Sequence, residues 1–221
     1  MSRQYAFIVD LRKCVGCGGC QVTCKQENEV PFVGFRSRVE YVDAGKYPNP
    51  VRHFVPKLCN NCDDAPCIAA CPTGATFKME NGIVAVNRDT CIGCGRCAEM
   101  CPYGARYLNQ NLSIKNDPAK YPNVEEVRGK SKSSLHPVDK CDFCYHRIAA
   151  DIEEPTCVRN CPAHARYFGD LNDPNSKVSQ LLKDNPTIKW ADYFGTKPRV
   201  SYIAKDIKVF EMADELINEG E

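Results

Sequence analysis

Cys91-Ile92-Gly93-Cys94-Gly95-Arg96-Cys97-Ala98-Glu99-Met100-Cys101-Pro102 is the stretch that decides the fold. Two residues separate each of its first three cysteines from the next, three more precede the fourth, and a proline closes the run. Three further groups repeat it. Cys14, Cys17, Cys20 and Cys24 keep the spacing, with Lys25 where the proline would stand. Cys59, Cys62, Cys67 and Cys71 widen the middle gap and end on Pro72. Cys141, Cys144, Cys157 and Cys161 carry a 12-residue loop in that gap and end on Pro162. Together the four groups use all 16 cysteines of the 221-residue chain.

This is the spacing by which bacterial ferredoxins ligate iron–sulfur cubanes. Three thiolates so spaced close around three irons only on a tightly curled loop, and Gly93 and Gly95 suit the positive φ such a loop needs. The fourth cysteine sits on the short helix that follows and ligates the neighbouring cluster. Groups two and three are separated only by a hairpin turn at Glu80-Asn81-Gly82, which is the layout of one two-cluster unit. Groups one and four then complete a second. Crossed ligation gives four sets: Cys14, Cys17, Cys20 and Cys161; Cys24, Cys141, Cys144 and Cys157; Cys59, Cys62, Cys67 and Cys101; and Cys71, Cys91, Cys94 and Cys97.

Other uses of cysteine fit less well. Sixteen cysteines in 221 residues fall below the density of disulfide-stapled secreted domains, and the chain is longer than they are. Zinc ribbons use C-x2-C pairs, but zinc does not need four ligands in every group with a following proline. A zinc-stabilised interaction module stays as the alternative of a different class. The four histidines, His53, His136, His146 and His164, replace no cysteine in any group and are read as structural.

The composition is that of an ordinary globular protein, with 43% apolar and 26% charged residues and a formal net charge of +1. No basic excess points to nucleic acid. No stretch approaches the ~18 consecutive apolar residues of a membrane helix. The N-terminus is too short and too quickly polar for a secretory signal and has no twin arginine. The chain is therefore expected in the cytoplasm or exported as the passenger of a signal-bearing partner.

An internal repeat of strand, cysteine loop, short helix and exit runs through the chain. The lead-ins are Tyr5 to Asp10, His53 to Pro56, Ile83 to Asn87 and His136 to Asp139. The exits are Thr73-Gly74-Ala75-Thr76-Phe77, Tyr103-Gly104-Ala105-Arg106-Tyr107 and Ala163-His164-Ala165-Arg166-Tyr167. Each places a small residue and then an aromatic after Cys-Pro, where they are expected to pack on a cluster or in the core. The fold class is α+β: two bacterial-ferredoxin-like two-cluster domains, one inserted in the other. Residues 1–57 plus 136–184 form the outer domain, with a β-hairpin arm in 30–57, and 58–111 the inserted one. Residues 112–135 read as a polar surface loop and 185–221 as a C-terminal extension. Within 173–185 a helix is expected to start at Asp173-Pro174. Arg199 to Ala204 looks like a strand, and the tail from Asp206 has helical apolar spacing.

No dinucleotide fingerprint, P-loop or serine–histidine constellation is present. Cubanes ligated by four cysteines leave no open iron for substrate. The chain therefore has no active site of its own and reads as an electron relay.

The four groups in this order, with the widened second and the long fourth, resemble the iron–sulfur subunit of molybdopterin oxidoreductases of the dimethyl sulfoxide reductase family, such as polysulfide, thiosulfate, tetrathionate and arsenate reductases. Val138-Asp139-Lys140-Cys141-Asp142-Phe143-Cys144 and Gly169-Asp170-Leu171-Asn172-Asp173-Pro174 carry the same resemblance. It implies a large catalytic partner with a molybdenum or tungsten bis-pterin cofactor, and often a membrane subunit that exchanges electrons with quinone. It also implies that Cys14, Cys17, Cys20 and Cys161 hold the cluster nearest the catalytic partner, and Cys71, Cys91, Cys94 and Cys97 the far one. Related subunits that lack a cysteine in the third group carry a three-iron cluster; Cys94 is present here, so four [4Fe–4S] clusters are expected. Passenger export in the family favours the periplasmic side. A relay subunit of a hydrogenase or formate dehydrogenase complex is the alternative within the same class.

Overall fold

The computed structural model describes residues 2–31, 34–108, 138–152 and 154–204. The expected loop 112–135, the lead-in residue His136 and the tail from Asp206 lie outside them. In chain order the elements are β1 (Tyr5–Asp10), α1 (Gly19–Glu27), β2 (Ser37–Ala44), β3 (Val51–Leu58), α2 (Pro66–Ala69), β4 (Thr76–Lys78), β5 (Val84–Val86) and α3 (Arg96–Glu99). There follow β6 (Arg106–Leu108), β7 (Val138–Lys140), α4 (Tyr145–Ala149), α5 (Thr156–Arg159), β8 (Arg166–Asp170), α6 (Lys177–Asp184), a 3-10 turn (Asp192–Phe194) and β9 (Val200–Ile203). Mixed helix and strand content matches the expected class. Among the described residues no helix is long and apolar enough to cross a membrane.

The strand that follows each cysteine group pairs antiparallel with the strand that precedes the next: β2 with β3, β4 with β5 and β6 with β7. The last pair closes the series, since β8 returns to β1 with Tyr5 opposite Asp170 and Val9 opposite Arg166. Backbone pairing thus runs round the chain as a ring. The short helices pair differently: α1 packs on α5, and α2 on α3. Helix pairing joins only groups one with four and two with three, whereas the strands also join one with two and three with four.

Every residue of β1 is buried, because both its faces and both its edges are covered. Phe7 and Val9 face a core with Phe143, Trp190 and Tyr202. Ala6 and Ile8 face Val178 of α6, with Leu181 and Leu182 beside it. This double cover is why the apolar alternation in Tyr5–Asp10 is weak. Full burial of such side chains stabilises by about 1.5–3 kcal/mol each. β9 lies parallel along the other edge of β1, and Tyr202 and Trp190 are almost fully buried. Trp190, Ala191 and Val200–Ile203, within the expected extension, are therefore part of the core, while Tyr193 and Phe194 stay exposed.

Two local readings need correction. Helix α6 begins one turn later than Asp173-Pro174: Ser176 is its N-cap and accepts from the Ser179 amide at 3.1 Å. Asp173 instead shapes the preceding turn, accepting from the Asn175 amide at 2.8 Å. The hairpin in 30–57 forms as expected, but only its tip projects. Its base is interior, with Val39, Val42 and Val55 buried and Tyr41 Oη donating to the Gly16 carbonyl at 2.7 Å.

Candidate metal centres

The four cysteine loops share one backbone device. The residue two positions after the first cysteine has positive φ in all of them: Gly16 (68°), Asn61 (43°), Gly93 (69°) and Phe143 (56°). Only two of these are the glycines the geometry favours. Asn61 tolerates the conformation and is fixed by four contacts. Its amide nitrogen donates to the carbonyls of Cys59 at 3.2 Å and Cys141 at 3.5 Å. Its oxygen accepts from the Val84 amide at 3.0 Å and Lys140 Nζ at 3.3 Å. Phe143 is held by burial, its ring 5.7 Å from Phe7 and 5.6 Å from Phe168. Gly16 also lacks room for a side chain, since a Cβ would stand 2.2 Å from Phe54.

The exits repeat as closely. Three residues after the closing cysteine, Gly74, Gly104 and His164 all have positive φ. Each donates its amide to that cysteine's carbonyl, at 3.3, 3.1 and 3.1 Å. Group one departs from this. Without a proline after Cys24, α1 runs on to Glu27, and the backbone turns away later.

The structure gathers the cysteines across groups. Cys14, Cys17, Cys20 and Cys161 line one cavity, with Arg166, Val39 and Pro56. Cys59, Cys62, Cys67 and Cys101 line another, with Asn60, Asn61 and Arg106. Cys24, Cys141, Cys144 and Cys157 are all buried, and Asn28 Nδ2 reaches both Cys24 Sγ at 3.6 Å and Cys144 Sγ at 3.9 Å. Of the remaining four, Cys91 and Cys97 share an apolar cluster with Val84. Cys94 is exposed, and Cys71 ends the α2 turn, accepting from the Thr76 amide at 3.4 Å.

Electrostatics divides these thiols. Burial, reinforced by its neighbours Cys24, Cys144 and Cys157, raises Cys141 well above the ordinary thiol range. Burial pushes Cys144 up to about 12 and Cys62 up to about 12. At Cys71 burial also acts upward, but the donors of Thr76 and Thr73 outweigh it and bring the thiol down to about 7. Buried thiols that repel one another ionise only against a positive metal centre.

A multi-iron cluster fits this donor set better than a single ion. Among the described residues no three His, Cys, Asp or Glu side chains converge to hold one metal ion; the thiols stand around open volumes instead. Residues lining those cavities carry buried polar atoms with no partner among the described residues: both amide atoms of Asn60, Nε of Arg106, and Nε and Nη2 of Arg166. Donors aimed at such a space suit the sulfurs of a bound cluster.

Among the exit aromatics, Tyr103 lies in the core and Tyr167 packs beside Ala6 and Ile8, as expected, while the exits also reach the surface. Phe77 is 41% exposed, Tyr107 Oη donates to Asp139, and Tyr167 Oη accepts from Lys13 Nζ at 2.6 Å. The exits are strands, so side chains alternate, and the inward residues are Thr76, Arg106 and Arg166, all buried. The Ala-Arg-Tyr shared by groups three and four was the signal for them. Arg36 was also missed. It is buried beside the Cys141 loop and paired in a fork with Asp139, Nε to Oδ2 at 2.8 Å and Nη2 to Oδ1 at 2.7 Å.

Known proteins resemble this chain in the same terms. A profile described as a 4Fe-4S dicluster domain matches residues 51–117. A selenate reductase subunit of Mesobacillus selenatarsenatis is 40% identical, over 90% of this chain and 72% of that protein. The arsenate respiratory reductase iron–sulfur subunit of a Shewanella species is 38% identical, over 89% of this chain and 94% of its own length. A polysulfide reductase polypeptide of Wolinella succinogenes is 36% identical, over 90% and 94%.

Proposed function

This protein belongs to the iron–sulfur subunits of dimethyl sulfoxide reductase-family molybdopterin oxidoreductases, and on that premise we propose that it relays electrons through four [4Fe–4S] clusters standing in a row. As a member it is a non-catalytic electron-transfer subunit of a respiratory reductase with a catalytic molybdoenzyme partner. The proposal extends this to the four crossed cysteine sets and to a nested division of the chain, 58–111 within 1–57 plus 136–184. A [4Fe–4S] cluster, when bound, takes up and gives back one electron at a time.

One observation carries the reading: two cavities are each lined by three cysteines of one group and the fourth of another, Cys161 with group one and Cys101 with group two. The gradient of burial supports a row. Cys17 and Cys94 are exposed, while the Cys24, Cys141, Cys144 and Cys157 set and Cys59, Cys62 and Cys67 are buried. Asn61 ties the two buried sets together through the Cys59 and Cys141 carbonyls. Exposed apolar side chains flank both ends, Val15 and Val22 at one and Ile92 and Met100 at the other. They suit cover by partners: the catalytic subunit at the Cys14 end and a quinone-linked membrane subunit at the Cys91 end. Passenger export with a signal-bearing partner to the periplasmic side belongs to the same proposal.

The test is metal and sulfide analysis of the complex purified without oxygen. About 16 iron and 16 sulfide are expected in this chain for four cubanes. Zinc, or iron for only two clusters, would overturn the reading. Co-purification identifies the catalytic partner, and a molybdenum- and tungsten-free one would redirect the chain to another class of complex.

A further inference from the structure

Two arginines occupy equivalent positions in the repeat, each five residues after the closing cysteine of its group: Arg106 after Cys101 and Arg166 after Cys161. Both are buried, at 6% and 3% exposure. Neither pairs with a carboxylate among the described residues. Arg106 Nη2 donates to Cys67 Sγ at 3.1 Å and Nη1 to Thr76 Oγ1 at 3.2 Å. Arg166 Nη1 donates to Ser37 Oγ at 3.1 Å, and its guanidinium lies 5.2 Å from the centre of the Phe7 ring. Nε of both, and Nη2 of Arg166, meet no acceptor among the described residues.

A buried, unpaired guanidinium is strongly unfavourable unless negative charge surrounds it. The groups around these two are thiols, and they come from two sites in each case. Burial by itself would lower the pKa of Arg106, but Cys67, Cys59 and Cys97 hold it up. Burial likewise opposes the charge on Arg166, and Cys157, Cys20 and Cys141 outweigh it. Cys59 and Cys67 belong to one proposed set and Cys97 to the next. Cys20 belongs to one set, and Cys141 and Cys157 to its neighbour. The equivalent position in group two is Thr76, a neutral residue, and in group one Glu29. At these repeat positions each two-cluster unit therefore has one buried cation, beside thiols of both its sites.

We propose that Arg106 and Arg166 are the shared counter-charges of the two units, each raising the reduction potentials of both clusters beside it and screening the repulsion between them. The inference rests on the four-cluster reading. Each cubane with its four thiolates is a net anion, and reduction adds one electron to it. No bond changes and no proton moves, because arginine stays protonated at every accessible pH. A fixed positive charge in a site of low dielectric favours the more negative state. Both residues are positioning groups that set potentials.

The experiment is an anaerobic redox titration of the intact complex, followed by electron paramagnetic resonance and paired with iron analysis. It compares the unaltered protein with Arg166→Gln, Arg106→Gln, Arg166→Lys and Arg106→Lys. In each Gln variant two of the four midpoints are expected to fall together by at least tenfold in the reduction equilibrium constant, about 59 mV for one electron, while the other two stay. Each Lys variant should recover most of the shift. Unmoved potentials at full iron content, or an equal shift in the Lys variant, would overturn the proposal. A shift confined to one cluster would also overturn it. If a Gln variant loses iron, retention in its Lys partner supports the role of charge and loss in both refutes it. An unaltered protein lacking four clusters would instead sink the underlying reading.

Discussion

The two inner cysteine loops and the two outer ones reach the same backbone geometry by opposite means. In the loops that begin at Cys14 and Cys91 the left-handed position is filled by Gly16 and Gly93, which adopt it without strain. In the loops that begin at Cys59 and Cys141 it is filled by Asn61 and Phe143, which are held there by buried hydrogen bonds and by packing. Cys17 and Cys94, in the outer loops, are exposed, whereas Cys62 and Cys144 at the same position of the inner loops are buried. The inner loops are thus part of the core, and their shape depends on the fold. The outer loops carry their own shape and stay at the surface.

That contrast is open to attack at four points. Cys141→Ser has the largest expected effect: loss of bound iron together with loss of a cooperative thermal transition, read by iron analysis and calorimetry. Cys17→Ser should lose about one cluster's iron and keep the transition; equal unfolding of both would erase the distinction. Asp139→Ala comes next. It strands the buried Arg36 beside the inner loop and should reduce stability by about 3–5 kcal/mol in denaturant titrations. Phe143→Gly removes a 1%-exposed ring from the core while relieving its backbone strain. Ring loss of about 3–5 kcal/mol should outweigh a relief of about 1 kcal/mol, leaving a net loss that chemical denaturation will measure. A stabilised variant would mean that packing does not hold that loop. Gly74→Ala, at the exit beside Cys71 with open space around its Cβ position, should lower stability by about 1 kcal/mol through φ alone.

The same contrast explains what could be read from the residues. Glycine at a left-handed position is visible in a sequence, so the Cys91 run announced its geometry. Phe143 in that conformation is invisible, because tertiary packing rather than local preference puts it there. Crossed cysteine sets could be proposed from the sequence because ligation fixes spacing; in the structure Cys161 lines a cavity with group one and Cys101 lines one with group two. The buried arginines were not recognised as site residues, since a basic side chain after a turn ordinarily faces water. The ring of strand pairs was also hidden. Nothing local in Arg106–Leu108 says that its partner is Val138–Lys140 rather than a strand of its own unit.

The closure of β1 on β8 and β9 bears on how the protein is made. Tyr5–Asp10 is synthesised well before the segments that border it, 166–170 and 200–203. Until those segments emerge this apolar strand has bare edges, the state in which nascent chains aggregate or recruit chaperones. The β4–β5 pairing needs nothing beyond Val86, so that hairpin can mature while β1 still waits for β8 and β9.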